Sequence, residues 1–156
     1  MTPAIKALEK AKSTFHIHEY HHDANAESYG LEAAEKLGID PSRVFKTLVV
    51  MLDGKDYAVG VIPVSSMLSM KLIAKAAGAK KSAMADKQQV ERMSGYVLGG
   101  VSPFGQKKQL KTFVDISALA HSSIFVSAGR RGLEVEVAPE VFSQVLRAQL
   151  VELTQE

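Results

Sequence analysis

Two apolar runs dominate the chain. "VFKTLVVML" (44–52) and "YAVGVIP" (57–63) flank "DGK", a hairpin signal. Both are apolar on both faces, so they belong at the centre of a sheet covered on each side. "LEVEVA" alternates strictly, with Leu133, Val135 and Val137 turned toward a core. "FHIHEY" alternates too: Phe15 and Ile17 share one face, and His16, His18 and Tyr20 share the other. That pattern predicts a half-buried strand with its histidines toward water. "YVLGGV" (96–101) is strand-like until its glycines, and "TFVDI" (112–116) and "SIFVSAG" (123–129) read as further strands.

Between these runs the period changes to that of helices. Thr2 and Pro3 suit a helix start, with Ile5, Leu8 and Ala11 or Lys12 repeating at helical spacing. "SYGLEAAEKLG" is a short helix ended by Gly38, and Asp40-Pro41 opens a turn or helical stub. Ser65 or Ser66 is expected to cap a helix whose inner face is Leu68, Leu72, Ile73, Ala76 and Ala77, with Gly78 ending it. Asp86 and Gly95 bound another helix, and the last begins near Pro139 and includes Val141, Val145 and Leu146. Strict βαβ alternation is absent. The expectation is therefore an α+β fold, residues 1–156 forming a single domain. Its six or seven strands would curl into a partly open, mostly antiparallel or mixed barrel with helices outside.

Composition narrows the chemistry. No cysteine is present, which excludes disulfides, thiolate zinc sites and a cysteine nucleophile, and fits the cytosol. The N-terminus is a lysine-broken amphipathic pattern rather than a signal peptide, and no apolar run approaches the roughly 20 residues that span a bilayer. The expectation is a cytoplasmic protein with no membrane partner. A net charge of +2 permits contact with a polyanion without demanding it. The pairs Lys80-Lys81, Lys107-Lys108 and Arg130-Arg131 can each meet a phosphate or simply face water.

Three stretches raise chemical questions. "GVSPFGQK" skirts a phosphate loop but fails it: the lysine comes one residue late and Lys108 stands where Ser or Thr is needed. It fails as a nucleophile elbow too, since two residues rather than one separate Ser102 from Gly105. Ser102-Pro103 fits a helix N-cap, while Gly99 and Gly100 either let amides converge on an oxygen or merely form a bulge. Lys46 lies on a strand face with Val44, Leu48 and Val50. It either binds a phosphate or polarises a carbonyl, or else its stem covers apolar surface while the head reaches water. His16 and His18 share a face, but no third ligand follows at a metal spacing, and no metal or cofactor is expected. "SAGRRGLEVEV" reads as a hairpin turn with Gly129 and Gly132 supplying the unusual backbone angles and Arg130 or Arg131 available to a phosphate.

Taken together, "RVFKTLVV", "GYVLGGVSPFG" and "SAGRRGLEVEV" resemble the YbaK/EbsC family of free-standing aminoacyl-tRNA editing proteins, related to the editing domain of bacterial prolyl-tRNA synthetases. The resemblance runs along nearly the whole chain and is nearest the subgroup that deacylates cysteinyl-tRNA for proline. It implies a curved, barrel-like sheet and a hydrolase or lyase acting on an ester. Lys46 would be the key pocket residue, and the amides of Gly100, Val101 and Ser102 would stabilise a developing oxyanion. Tyr20, Tyr29, Thr47, Gly99, Pro103, Gly129, Arg130 and Glu136 would contact substrate. The partners implied are the 3′ end of an aminoacyl-tRNA and prolyl-tRNA synthetase in a ternary complex. In this family the substrate cysteine thiol is held to attack its own ester, which fits a chain without a Ser-His or Cys-His pair. Three other readings remain open: a non-catalytic tRNA- or synthetase-binding module, a deacylase for another charge such as alanyl-tRNA for proline, and a metal-dependent hydrolase using His16 and His18.

Overall fold

A computed structural model describes residues 1–26 and 28–155. Its helices are α1 (Pro3–Lys10), α2 (Tyr29–Leu37), α3 (Met70–Ala77), α4 (Lys87–Ser94) and α5 (Glu140–Leu146). Its strands are β1 (His16–Glu19), β2 (Phe45–Leu52), β3 (Asp56–Pro63), β4 (Met67–Leu68), β5 (Ser82–Met84), β6 (Lys111–Asp115), β7 (Ile124–Arg130), β8 (Leu133–Val137), β9 (Gln149–Val151) and β10 (Thr154–Gln155). The β2–β3 hairpin is central, as its two-sided apolar pattern requires. It sits in a five-stranded sheet ordered β5-β2-β3-β6-β9, in which β3–β6 and β6–β9 are parallel. One face packs Phe45, Val49, Val59 and Val61 against Ile5 and Leu8 of α1 and Val126, Leu133, Val135 and Val137 of β7 and β8. The other packs Val50, Ala58 and Ile62 against Ile73 of α3 and Phe113.

The second sheet, β1-β8-β7, is antiparallel and meets the first at one point, a parallel bridge between Val44 and Phe125. On the same edge of β2, β5 pairs only with Val50–Leu52. Phe45–Leu48 therefore run between two seams, joined to β7 behind and β5 ahead. The sheets curve toward each other but do not close into a barrel, and the opening lies along this half-strand.

Several segments depart from the sequence pattern for identifiable reasons. Residues 96–101 form turns rather than a strand. Gly95 ends α4 in the left-handed region, Gly99 has φ +91°, and the Gly100 amide donates to the Val97 carbonyl at 2.9 Å. Ser102 caps no helix; its Oγ accepts from the Phe104 amide in a local turn. The cap of α3 is Ser69 rather than Ser65 or Ser66, because Met67–Leu68 are taken up pairing with Thr154–Gln155. In β1 the alternation holds only in part: Phe15 packs against the core and His16 is exposed, but Ile17 is 46% exposed while His18 and Tyr20 are half-buried. β1 is an edge strand whose polar side chains find partners across the sheet, and those partners lie outside any local pattern.

Gly105 secures α1 from below. Its φ is +66°, and an added Cβ would lie 2.4 Å from the Pro3 carbonyl oxygen. Gly54, with φ +71°, faces open space. Gly105→Ala is expected to lower stability well beyond the roughly 1–2 kcal/mol of a left-handed alanine, and Gly54→Ala by no more than that amount. Urea midpoints of the two variants check this; equal losses would show that α1 is not seated on Gly105.

Candidate functional site

A pocket of about 450 Å³ fills the opening. Phe45, Lys46, Thr47, Leu48 and Val49 form its floor, and Glu134 of β8 and Ser127 of β7 stand on one side. Met84, Ala85, Lys87 and Val90 bound the other. Tyr20, the start of α2 (Ser28, Tyr29, Gly30) and the turn carrying Leu98, Gly99 and Val101 close the rim.

The floor is apolar, and two ionisable groups enter it without a partner among the described residues. Lys46 is half-buried and forms no ion pair with another described residue. Loss of hydration lowers its pKa, as expected for an ammonium with no anion nearby. Glu134 is 6% exposed, and burial pushes its carboxyl up to about 8. At neutral pH it is largely a neutral acid, able to donate a hydrogen bond. Burial, followed by the Glu134 charge, raises the Tyr20 phenol to about 12, so it too remains protonated. The Thr47 hydroxyl is buried with no hydrogen-bond partner among the described residues. Such an orphan costs about 1–3 kcal/mol, and here it lies beside a cavity where a ligand can satisfy it.

The mouth is built around Tyr29. The Arg131 guanidinium lies 4.3 Å from its ring centroid and donates from Nη2 to the Leu98 carbonyl at 2.8 Å. A Cβ on Gly99 would come within 2.6 Å of Arg131 Nε and 2.7 Å of the Tyr29 ring, so only glycine admits this stack. Behind Tyr29, the carboxylate of buried Glu32 is held by His22 Nδ1 at 2.8 Å, the Asp23 amide at 2.6 Å and Lys36 at 3.2 Å. Burial alone would raise the Glu32 pKa, but these donors outweigh it and hold the carboxyl low.

Six of the residues expected from sequence reach the pocket: Tyr20, Tyr29, Lys46, Thr47, Gly99 and Val101. The others do not line it. The Gly100 amide is spent on Val97, and its Cα packs where a Cβ would lie 2.8 Å from the Arg130 backbone. Ser102 and Pro103 are buried beneath the turn. Gly129, at φ +111°, faces Tyr96 and Thr2, and the Arg130 side chain is exposed. Glu136 lies outside this lining. It sits two residues further along β8, about 7 Å away, opposite Phe125. There Ser123 Oγ (2.5 Å), His18 Nε2 (2.9 Å) and Arg43 (3.6 Å) engage it. The Ser123 hydrogen bond, against some burial, leads in lowering its pKa.

Sequence reading missed Glu134 and did not separate Arg131 from Arg130. The alternation of β8 puts Glu134 on the same face as Glu136 and offers no sign of which one meets a cavity. Of the two arginines in the turn, the bulge between Ser127 and Arg130 decides which reaches Tyr29.

Residues 24–144 match the model of the aminoacyl-tRNA editing domain family. The chain belongs to that family. An Enterococcus faecalis protein, provisionally named Cys-tRNA(Pro)/Cys-tRNA(Cys) deacylase EbsC, is 38% identical over 98% of this chain and 93% of its own length. The Bacillus subtilis protein YwhH, uncharacterised, is 26% identical over 72% of this chain and 71% of its own. Among solved structures, the hypothetical protein APE2540 superposes with a TM-score of 0.88 at 21% identity, covering 99% of this chain and 100% of its own. A protein described as a provisional trans-editing enzyme for prolyl-tRNA synthetase superposes with a TM-score of 0.84 at 19% identity, covering 100% and 99%. These two establish the fold.

As a member of the editing family the protein is an aminoacyl-tRNA deacylase, and its substrate carries an aminoacyl ester at a tRNA 3′ end. Among the described residues, no histidine lines the pocket of this editing domain, and its hydroxyls are not paired with a base. Ser28 Oγ caps α2 by accepting from the Leu31 amide, and Ser127 Oγ accepts from the Gly129 amide. Among the described residues, no helix is long and apolar enough to cross a membrane.

The buried acid has a signature in stability. Its folded pKa of about 8 lies above the ordinary 4.5, so the fold favours the neutral form. The stability this gives relative to an ionised carboxyl is complete below the unfolded pKa and is lost as pH rises through the folded one. Relative to Glu134→Gln, the wild type is expected to lose stability between about pH 4.5 and pH 8 and then level off. Urea unfolding across that range measures the difference; a flat profile would mean that Glu134 is not buried as described.

Proposed function

We propose that this deacylase clears cysteinyl-tRNA for proline, acting in trans in the cytoplasm beside prolyl-tRNA synthetase. The observation that carries the reading is a pocket with an unpaired ammonium and a neutral acid but, among the described residues, no side-chain nucleophile paired with a base. An ester is labile enough to need only positioning, an oxyanion site and a proton path. The substrate name of the EbsC relative supports cysteine as the amino acid.

In this reading Lys46 anchors the terminal nucleotide or polarises the ester carbonyl. The Val101 and Ser102 amides have no acceptor among the described residues, and Val101 lines the pocket, so its amide is the leading oxyanion donor. Gly100 is removed from that role by its bond to Val97. Thr47 Oγ1 and Glu134 hydrogen-bond the aminoacyl group, and Tyr29 with Gly99 walls the mouth. The cysteine sulfur attacks its own carbonyl, a carbon–sulfur bond replaces the carbon–oxygen bond, and the thiol proton passes to the departing ribose oxygen. Water then opens the resulting thiolactone to free cysteine.

The test is deacylation of cysteinyl-tRNA for proline beside alanyl- and prolyl-tRNA controls. The wild type is expected to cleave the cysteinyl ester selectively, and Lys46→Ala to lose about 10²-fold or more of the rate while keeping its circular dichroism and melting profile. A folded wild type that leaves all three esters intact, or a Lys46→Ala enzyme of full activity, would overturn the reading.

A further inference from the structure

The overall charge of +2 conceals a strong asymmetry. Residues 57–114 contain nine basic and two acidic side chains, an excess of seven, so the remaining 98 residues carry a net charge of −5. This segment spans β3 to β6 and builds one flank of the pocket.

Its cations are available. Lys80, Lys81, Lys87, Arg92, Lys107 and Lys108 are all exposed, and none forms an ion pair with another described residue. The two acids are occupied by backbone amides. Asp86 accepts from the Gln89 amide in the capping box of α4, and Glu91 from the Leu98 amide at 3.4 Å.

The fold sets these charges on segments that lead away from the pocket. Lys87, the first residue of α4, lines the lip. At the other end of α4, roughly 12 Å away at 1.5 Å per residue, the Lys107 and Lys108 amides donate to the Ser94 and Met93 carbonyls. β5 runs from Met84 at the pocket back to the β2–β3 turn, where Asp53 accepts from the Lys80 and Lys81 amides and fixes the entry to the strand. The outer face of α4 is polar, with Lys87, Gln88 and Arg92 exposed and Val90 buried, so it lacks the apolar face that lipid insertion requires.

We propose that the flank formed by the 80–84 segment, α4 and the 107–108 turn docks the phosphate backbone of the RNA whose 3′ end occupies the pocket. A pocket of about 450 Å³ accommodates a terminal aminoacyl nucleoside and little more, so the rest of the strand leaves across the rim. This flank meets it with cations. The proposal rests on the deacylase reading, and the experiment separates the two.

The variant is Lys80→Ala, Lys81→Ala, Lys107→Ala and Lys108→Ala combined, which spares every pocket residue. Binding of uncharged tRNA for proline is read by fluorescence anisotropy across a salt series. Turnover is read on cysteinyl-tRNA and on the cysteinyl ester of the CCA trinucleotide. The variant is expected to bind tRNA about tenfold or more weakly near 0.1 M salt, with the slope of log K against log salt reduced by about 0.7–0.9 for each phosphate no longer neutralised. KM for cysteinyl-tRNA rises in step, while cleavage of the trinucleotide ester is unchanged. Lys6→Ala with Lys10→Ala on α1 serves as the control and leaves both unchanged. Unaltered tRNA affinity and slope would overturn the proposal, as would an equal loss on both esters or a loss confined to binding of phosphatidylserine vesicles. If the wild type cleaves neither ester, the deacylase reading fails and the anisotropy series still decides the surface.

Discussion

The site depends on a strand edge left half unpaired. β2 touches β7 through the Val44–Phe125 bridge and β5 through Val50–Leu52, and between these seams it pairs with no described strand on that side. An open edge exposes backbone groups and invites pairing with other chains. Here α2, the start of α4 and the 97–101 turn surround the edge, so it becomes the floor of a pocket. The same two-sided apolar pattern that centres β2 in the molecule makes that floor largely apolar. Lys46 acquires its unusual environment from this arrangement, because it extends from a core strand at a place where the core is open.

An apolar floor has consequences for every polar group on it. Lys46, Glu134, the Tyr20 phenol and the Thr47 hydroxyl lose water without gaining full protein partners. Such groups weaken a fold, and a stretch of apolar residues in their place would be expected to strengthen it. A bound ester with its amine, carbonyl and ribose hydroxyls supplies what they lack. By contrast, Glu136 and Glu32 are fully engaged by neighbouring donors. The first ties β1 to β8 and the segment around Arg43, and the second keeps the start of α2 in place behind Tyr29. Two buried or half-buried carboxylates thus hold the structure together, and the unpartnered one faces the cavity.

The rim follows another constraint, the close approach of backbone to side chain. Gly99 lies against both Tyr29 and Arg131, and Gly100 against the Arg130 backbone. The glycine pair that interrupts an apolar run is therefore required by packing between the 97–101 turn and the β7–β8 hairpin. The same turn places Leu98 and Gly99 over the pocket, so its backbone geometry and the width of the mouth are fixed together. The uneven charge adds direction: the basic flank begins at this rim, while the acidic excess lies elsewhere in the sequence.

Local pattern determined much of this protein. The β2–β3 hairpin, the alternation of β8 and the helices bounded by Thr2, Ser28, Asp86 and their terminating residues are set by interactions within a few positions, which is why they are legible in sequence. The family resemblance likewise brought Lys46, Tyr20 and Tyr29 forward as pocket residues. What only the tertiary structure decided were matters of long-range pairing. It made β9 and β10 from the C-terminal residues, drew His18 of β1 onto Glu136, and moved the cap of α3 to Ser69. It also chose Glu134 over Glu136 and Arg131 over Arg130. Those choices depend on where β2 leaves β7 and on one bulge in β7, and no residue near Glu134 or Arg131 in the chain carries that information.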